Sequence, residues 1–247
     1  MTSCPADRGV LPALVAARDP DSAAWLAALL AVPPLPGTPA FMRAFAAAGR
    51  RLREAPPPRD GEVPALMALG IAAPALWSGP RLLRAALLAG TAEAAGSEAP
   101  ARLTAAFRTS DTEERAAILQ ALMLLPDPAR FAALAADACR SSVQPVFEAI
   151  AGDNRFPAAH LSEPVFNQMV LKAVFTGMPL ARVAGLAERT TPALRRMAAD
   201  FRSERRAAGR IVPADLDLLL DAVPADHSAA CPTASQAACP ANGIPTP

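Results

Sequence analysis

Tyrosine is missing from this chain, lysine occurs once, as Lys172, and histidine twice, as His160 and His227. A histidine metal centre or a Ser-His-Asp triad would have to use His160 alone, because His227 falls in a segment without helical pattern. The neighbours Asp153, Asn154 and Glu163 follow no metal or triad spacing, so a histidine that caps or packs is the better reading. Cys4, Cys139, Cys231 and Cys239 are too few and too scattered for a disulfide framework, and none forms a C-x-x-C pair. A reducing cytoplasm is therefore the expected compartment. The phosphate-loop, dinucleotide-binding and zinc-protease motifs are missing as well. No catalytic residue, metal or cofactor is expected.

An excess of charge is lacking too. Twenty-four basic against 23 acidic residues leave a net charge of +1, too small a field to gather nucleic acid or an anionic membrane. The longest uncharged run, residues 63–80, is broken by Pro64, Gly70, Pro74 and Ser78, and reads as a buried helix followed by a turn rather than a membrane span. Asp7, Arg8 and Pro12 near the start argue against a secretory signal.

What is present favours helix. The 247 residues are 52% hydrophobic and only 4% aromatic, with alanine about a quarter of the chain and Val, Ile and Thr sparse. A capping residue followed by proline recurs at Asp19-Pro20, Thr38-Pro39, Asp127-Pro128 and Thr191-Pro192. In this pattern the cap side chain accepts a bond from a free N–H, and the proline has no N–H to leave unsatisfied. Ser110 and Glu113 have the spacing of a capping box. These signals predict helices over 20–31, 39–53, 63–73, 80–95, 100–108, 111–125, 128–140, 143–151, 163–177, 192–208 and 213–222. Short connections imply an all-α fold, an irregular stack of antiparallel helical hairpins, either HEAT-like α-solenoid or compact bundle. Residues 53–61, with Pro56, Pro57 and Pro58, read as a stiff linker between an N-terminal helical subdomain, 1–55, and a helical domain, 62–222. Residues 224–247 read as a disordered tail.

The most informative segment is 163–177. Phe166, Met169, Val170, Ala173 and Val174 share one face, Leu171 and Phe175 lie round the back, and only Gln168, Lys172 and Thr176 form a polar stripe. A helix apolar over most of its girth is expected to be wrapped by others. Asn167 falls inside the apolar arc and needs defined partners, because an unpaired buried amide costs about 1–3 kcal/mol. Asn167, Gln168 and Lys172 are thus a candidate polar cluster that either binds a ligand or staples helices. The Lys172 ammonium has three readings: anchor for an acidic or carbonyl ligand, nucleophilic amine, or a side chain that snorkels or ties a helix C-terminus. In the helix after Pro192, Arg195, Arg202 and Arg206 lie opposite Leu194, Met197, Ala198 and Phe201, a candidate interaction face that lacks the interleaved aromatics of a single-strand binder.

Asn154-Arg155-Phe156-Pro157, the run Phe166 to Ala173, Pro179 to Leu186 and Asp200 to Arg210 together resemble the C-terminal signature of EboA-domain proteins, over residues 154–220. Upstream the agreement is one of helical, Leu- and Ala-rich character, and the linker and Cys-bearing tail fall outside the pattern. The resemblance implies a place in a bacterial operon that moves a secondary-metabolite precursor across the inner membrane. The partners it implies are other proteins of that operon, a membrane component and a small metabolite. It implies no catalytic residue. Two functions follow: a non-catalytic scaffold or adaptor, or a small-molecule carrier or enzyme with a pocket at Asn167, Gln168 and Lys172.

Overall fold

Three of the four cap-proline pairs start helices as the sequence predicts. In the computed structural model, which describes residues 9–53 and 58–220, Asp19 accepts a bond from the Ser22 N–H (3.1 Å) to open α2 (Pro20–Ala31). Thr38 does the same for the Phe41 N–H in α3 (Pro39–Arg50) and Thr191 for the Leu194 N–H further on, both at 3.3 Å. Asp127 is the exception. Its φ of 48° is left-handed, its side chain caps nothing, and a 3-10 turn follows before the α-helix begins at Ala132. The capping box also lies one residue later than expected. Asp111 and Glu114 bond each other's backbone N–H reciprocally, whereas Ser110 is the last cap of the preceding helix.

A helix absent from the sequence reading, α1 (Val10–Arg18), precedes α2, with Pro12 in its first turn where no intrahelical N–H is needed. After α3 comes α4 (Val63–Ala68), which stops five residues before the predicted 73. Gly70, at φ +86°, closes it: the Gly70 and Ile71 N–H groups fold back onto Met67 O and Leu66 O. The chain continues through α5 (Gly79–Ala95), α6 (Ala99–Thr109), α7 (Thr112–Ala121), α8 (Ala132–Cys139), α9 (Gln144–Ala151), α10 (Phe156–His160), α11 (Glu163–Thr176), α12 (Leu186–Arg189), α13 (Pro192–Ala207) and α14 (Leu216–Leu220). Among the described residues the fold is all-α, with one isolated bridge between Ile71 and Asn154.

Packing is organised round α5, whose side chains are buried from Leu82 to Ala89. Helices α1, α2, α3, α6 and α7 gather against it. Helices α1 and α3, from the expected 1–55 unit, therefore rest directly on the 62–222 unit. Beyond α5 the contacts pass from α7 to α9, from α9 to α8, then to α11 and α13, with α14 on α13. No helix of the described residues is long and apolar enough to cross a membrane.

Helix α11 departs from the expected enclosure. Phe166, Asn167, Met169, Val170, Ala173 and Val174 are buried, but Gln168 is exposed and Phe175 stands 72% exposed. The helix contacts α8, α9, α13 and the turn at Leu180–Arg182, which cover the front of the wheel; at the back Leu171 is half-buried and Phe175 stands in water. The tail with Cys231, Cys239 and His227, together with Cys4, lies outside the described residues.

Candidate functional site

The turn between α9 and α10 is built by its own polar residues. Asn154, 6% exposed, donates from Nδ2 to Leu119 O (3.1 Å) and Ala149 O (3.0 Å) and accepts from the Phe156 N–H (3.0 Å). One amide thereby fastens the end of α7, the end of α9 and the start of α10. Asp153 sits beside it at φ +54°, uncommon for a residue with a Cβ. Two bonds hold it there: its N–H reaches Arg182 O (2.6 Å) and its carboxylate receives Arg182 Nε (2.8 Å). Arg182 also reaches Glu148 (3.3 Å), and these carboxylates, Asp153 foremost, push its guanidinium above the ordinary range.

This turn forms one wall of a cleft of about 190 Å³, faced by Ile71, Leu76, Trp77, Met123 and Arg81. A second cavity of about 520 Å³ shares Arg81 and Gln120 with it and adds Arg53, Ser78, Arg84 and Glu113. Arg84 lies on α3 at Gly49, where a Cβ would come within 2.2 Å of its guanidinium, so only glycine allows the approach. It donates to Phe45 O (3.2 Å) and stands 3.9 Å from Glu114; burial lowers its pKa, and Glu114 opposes that. The lining of this pair of cavities has five arginines (Arg53, Arg81, Arg84, Arg155, Arg182) and two acids (Glu113, Asp153), with Glu114 beside Arg84 and Glu148 beside Arg182 just behind it. Cation focusing of this kind raises the local concentration of anions.

The residues singled out from the sequence fall elsewhere. Gln168 and Lys172 line a shallow groove of about 290 Å³ with Cys139, Arg140 and Met169. Asn167 is 3% exposed, away from that groove, and its Oδ1 has no partner, contrary to the expected defined set. The Lys172 ammonium donates to Cys139 O (2.9 Å) and Ser141 O (2.5 Å) and lies 4.3 Å from the Phe147 ring centre. It ties the C-terminus of α8, where free carbonyls favour a cation. Burial depresses its pKa and pushes the Cys139 thiol up to about 12, which leaves the sulfur protonated and a poor nucleophile. Along α13, Arg206 is exposed but Arg195 and Arg202 are half-buried, and Arg195 Nε is enclosed without a partner. The arginine stripe is therefore graded rather than evenly solvated. His160 packs against Phe156, ring centres 4.9 Å apart.

Arg81 and Gln120 went unmarked in the sequence, where no local spacing joins them, and Arg182 stood in the resembling run Pro179 to Leu186 without a role of its own. Two of the resembling runs reach the cleft: Asn154-Arg155-Phe156-Pro157, whose first two residues line it, and Pro179 to Leu186, which contains Arg182.

Comparison with curated proteins and with solved structures finds no match in either. A family model described as "Metabolite traffic protein EboA" matches residues 35–221. The match extends well upstream of the resembling 154–220 region, runs through the linker, and includes every helix that lines the cleft. This chain belongs to the EboA family of metabolite traffic proteins.

Proposed function

We propose that this protein is a non-catalytic helical scaffold or adaptor in the traffic of a secondary-metabolite precursor towards the periplasm. It works from the cytoplasm with other proteins of its operon, a membrane component among them, and presents the 154–210 region, with Arg195, Arg202 and Arg206, as its interaction surface. The observation that carries this reading is the use made of the polar side chains in that region. Asn154, Lys172 and Arg189 bond backbone carbonyls at or near helix ends, Arg189 holding Ala158 O and Leu161 O, and Arg205 holds Ile211 O (2.7 Å) in the segment after α13. Side chains occupied in this way brace neighbouring segments into a frame. Co-expression with the products of the adjoining reading frames, followed by affinity isolation, tests it. A stable complex weakened by Arg202→Glu and Arg206→Glu is expected, and isolation of the chain alone would refute the scaffold.

A second reading is a small-molecule carrier, and a specific feature favours it: the cleft at the Asn154 turn. The groove at Gln168 and Lys172 is the weaker candidate pocket, since carbonyls already occupy the amine and Asn167 lies outside it.

A further inference from the structure

Each arginine round the twin cavities has a different set of partners. Arg182 is held by Asp153 and Glu148, and Arg84 by Glu114 and Phe45 O. Arg81 bonds only Leu76 O, and Arg155 is exposed, so neither has a carboxylate partner among the described residues. Arg81 stands where the two cavities share a wall. Its neighbour in that wall, Gln120, has a buried Oε1 with no hydrogen-bond partner among the described residues. A half-buried guanidinium without a counter-charge and an orphaned amide oxygen are both costly unless something from solution completes them.

Both lobes expose more polar than apolar surface, and they differ in the apolar side chains set among the polar ones. The larger is polar, with Arg53, Arg84 and the Ser78 hydroxyl, which caps nothing although it precedes α5. The smaller has Trp77, Ile71, Leu76 and Met123, and about 190 Å³ is enough for one or two fused rings. We infer that the twin cavity binds a small amphipathic organic oxyanion, a carboxylate or phosphomonoester, with its charged head at Arg81 in the polar lobe and its apolar body against Trp77 and Met123. Burial holds the Arg81 pKa below the ordinary arginine range, and no acid among the described residues opposes it. Arg155 at the mouth adds charge to guide entry. A guanidinium matches either head group bidentately, and a hydroxyl or N–H on the ligand body would satisfy Gln120 Oε1. The site goes beyond the scaffold reading and stands or falls separately from it.

Isothermal titration of the full chain with 1-naphthoate, 1-naphthyl phosphate and neutral 1-naphthamide tests the assignment. At least one anion is expected to bind at least tenfold tighter than the amide, and the tighter of the two identifies the head group. Arg81→Gln is expected to remove that preference while binding of the amide is unchanged, and Arg202→Gln on α13 is expected to leave all three affinities unaltered. Gln120→Glu, which puts a fixed negative charge in the same wall, is expected to weaken the anions selectively and supplies the result if Arg81→Gln does not fold by circular dichroism. Equal affinities for amide and anions, no binding of any probe at millimolar concentration, or anion binding that survives both substitutions would overturn the inference. These results concern the cavity alone, whereas loss of the operon complex concerns the scaffold alone.

Discussion

Replacing Asn154 by alanine tests how the signature turn is held. The side chain makes three hydrogen bonds, and their loss is not equivalent at each end. Leu119 O keeps a second donor, the Leu122 N–H. Ala149 O does not: the Asp153 N–H that would have continued α9 goes to Arg182 O, and the Gly152 N–H goes to Glu148 O. The Phe156 N–H likewise loses its acceptor inside the fold. Two stranded polar groups at about 1–2 kcal/mol each, with a smaller loss at Leu119, give about 3 kcal/mol. For a chain of this size that lowers Tm by about 6–12 °C. Urea denaturation followed by circular dichroism measures the free energy, and thermal melts measure the shift. Asn154→Asp sharpens the test, because its carboxylate faces two carbonyl oxygens where the amide donated. Its deficit relative to wild type is expected to shrink as pH falls and the carboxyl protonates. Arg155→Ala, one residue along but exposed, is expected to change stability by less than about 0.5 kcal/mol. A loss below about 1 kcal/mol for Asn154→Ala, or equal losses for Asn154→Ala and Arg155→Ala, would refute the account of this turn.

Three further outcomes follow from the same geometry. Asp153→Ala is expected to be less stable than Asp153→Gly by about 1 kcal/mol in urea melts, since both lose the Arg182 bond but only alanine retains the left-handed strain at φ +54°. Equal stabilities would mean that the backbone there is unstrained. Lys172→Met is expected to lower stability by about 1–2 kcal/mol by uncapping Cys139 O and Ser141 O, and to leave binding of 1-naphthoate unchanged; lost binding would move the ligand site to α11. Burial pulls the His160 pKa below its usual 6.5, with Asp127 opposing. The unfolded chain then takes up the proton first as pH falls, so the stability linked to His160 is complete above 6.5 and is lost as pH drops through the lower, folded value. The wild-type advantage over His160→Phe is expected to narrow from pH 7.5 to 5.5, and a constant difference across that range would exclude a depressed pKa.

The helix boundaries that could be read from sequence were those set by local chemistry. At Asp19, Thr38 and Thr191 a side-chain oxygen lies three residues from the N–H it satisfies, so cap and helix are contiguous in the chain. Asp127 carries the same dipeptide signal, but its backbone is left-handed and its side chain caps nothing. Helices α10 and α12 have five and four residues, too few for a hydrophobic period to show. The enclosure of α11 was misjudged for a different reason: an apolar wheel tells how much surface could be buried, but the number of neighbours decides how much is. With α8, α9, α13 and the turn at Leu180–Arg182 all gathered on one side, Phe175 remains in water.

The cleft was harder to see because its chemistry is long-range. Arg81 opens α5, Gln120 ends α7, Asp153 follows α9 and Arg182 lies beyond α11, and no periodicity links positions so far apart. Only the Asn154 turn and the Pro179 to Leu186 run were legible, and the structure gives the physical reason the turn forms a recognisable block. Asn154 meets the local need of the Phe156 N–H and the distant need of Leu119 O with the same side chain, so substitution there disturbs both the turn and the α7–α9 contact. Arg81 satisfies no comparable structural need beyond one carbonyl. A residue that carries desolvated charge without repaying it inside the fold is one whose partner must be sought outside it, and that contrast between Asn154 and Arg81 separates the frame of this site from its ligand-facing group.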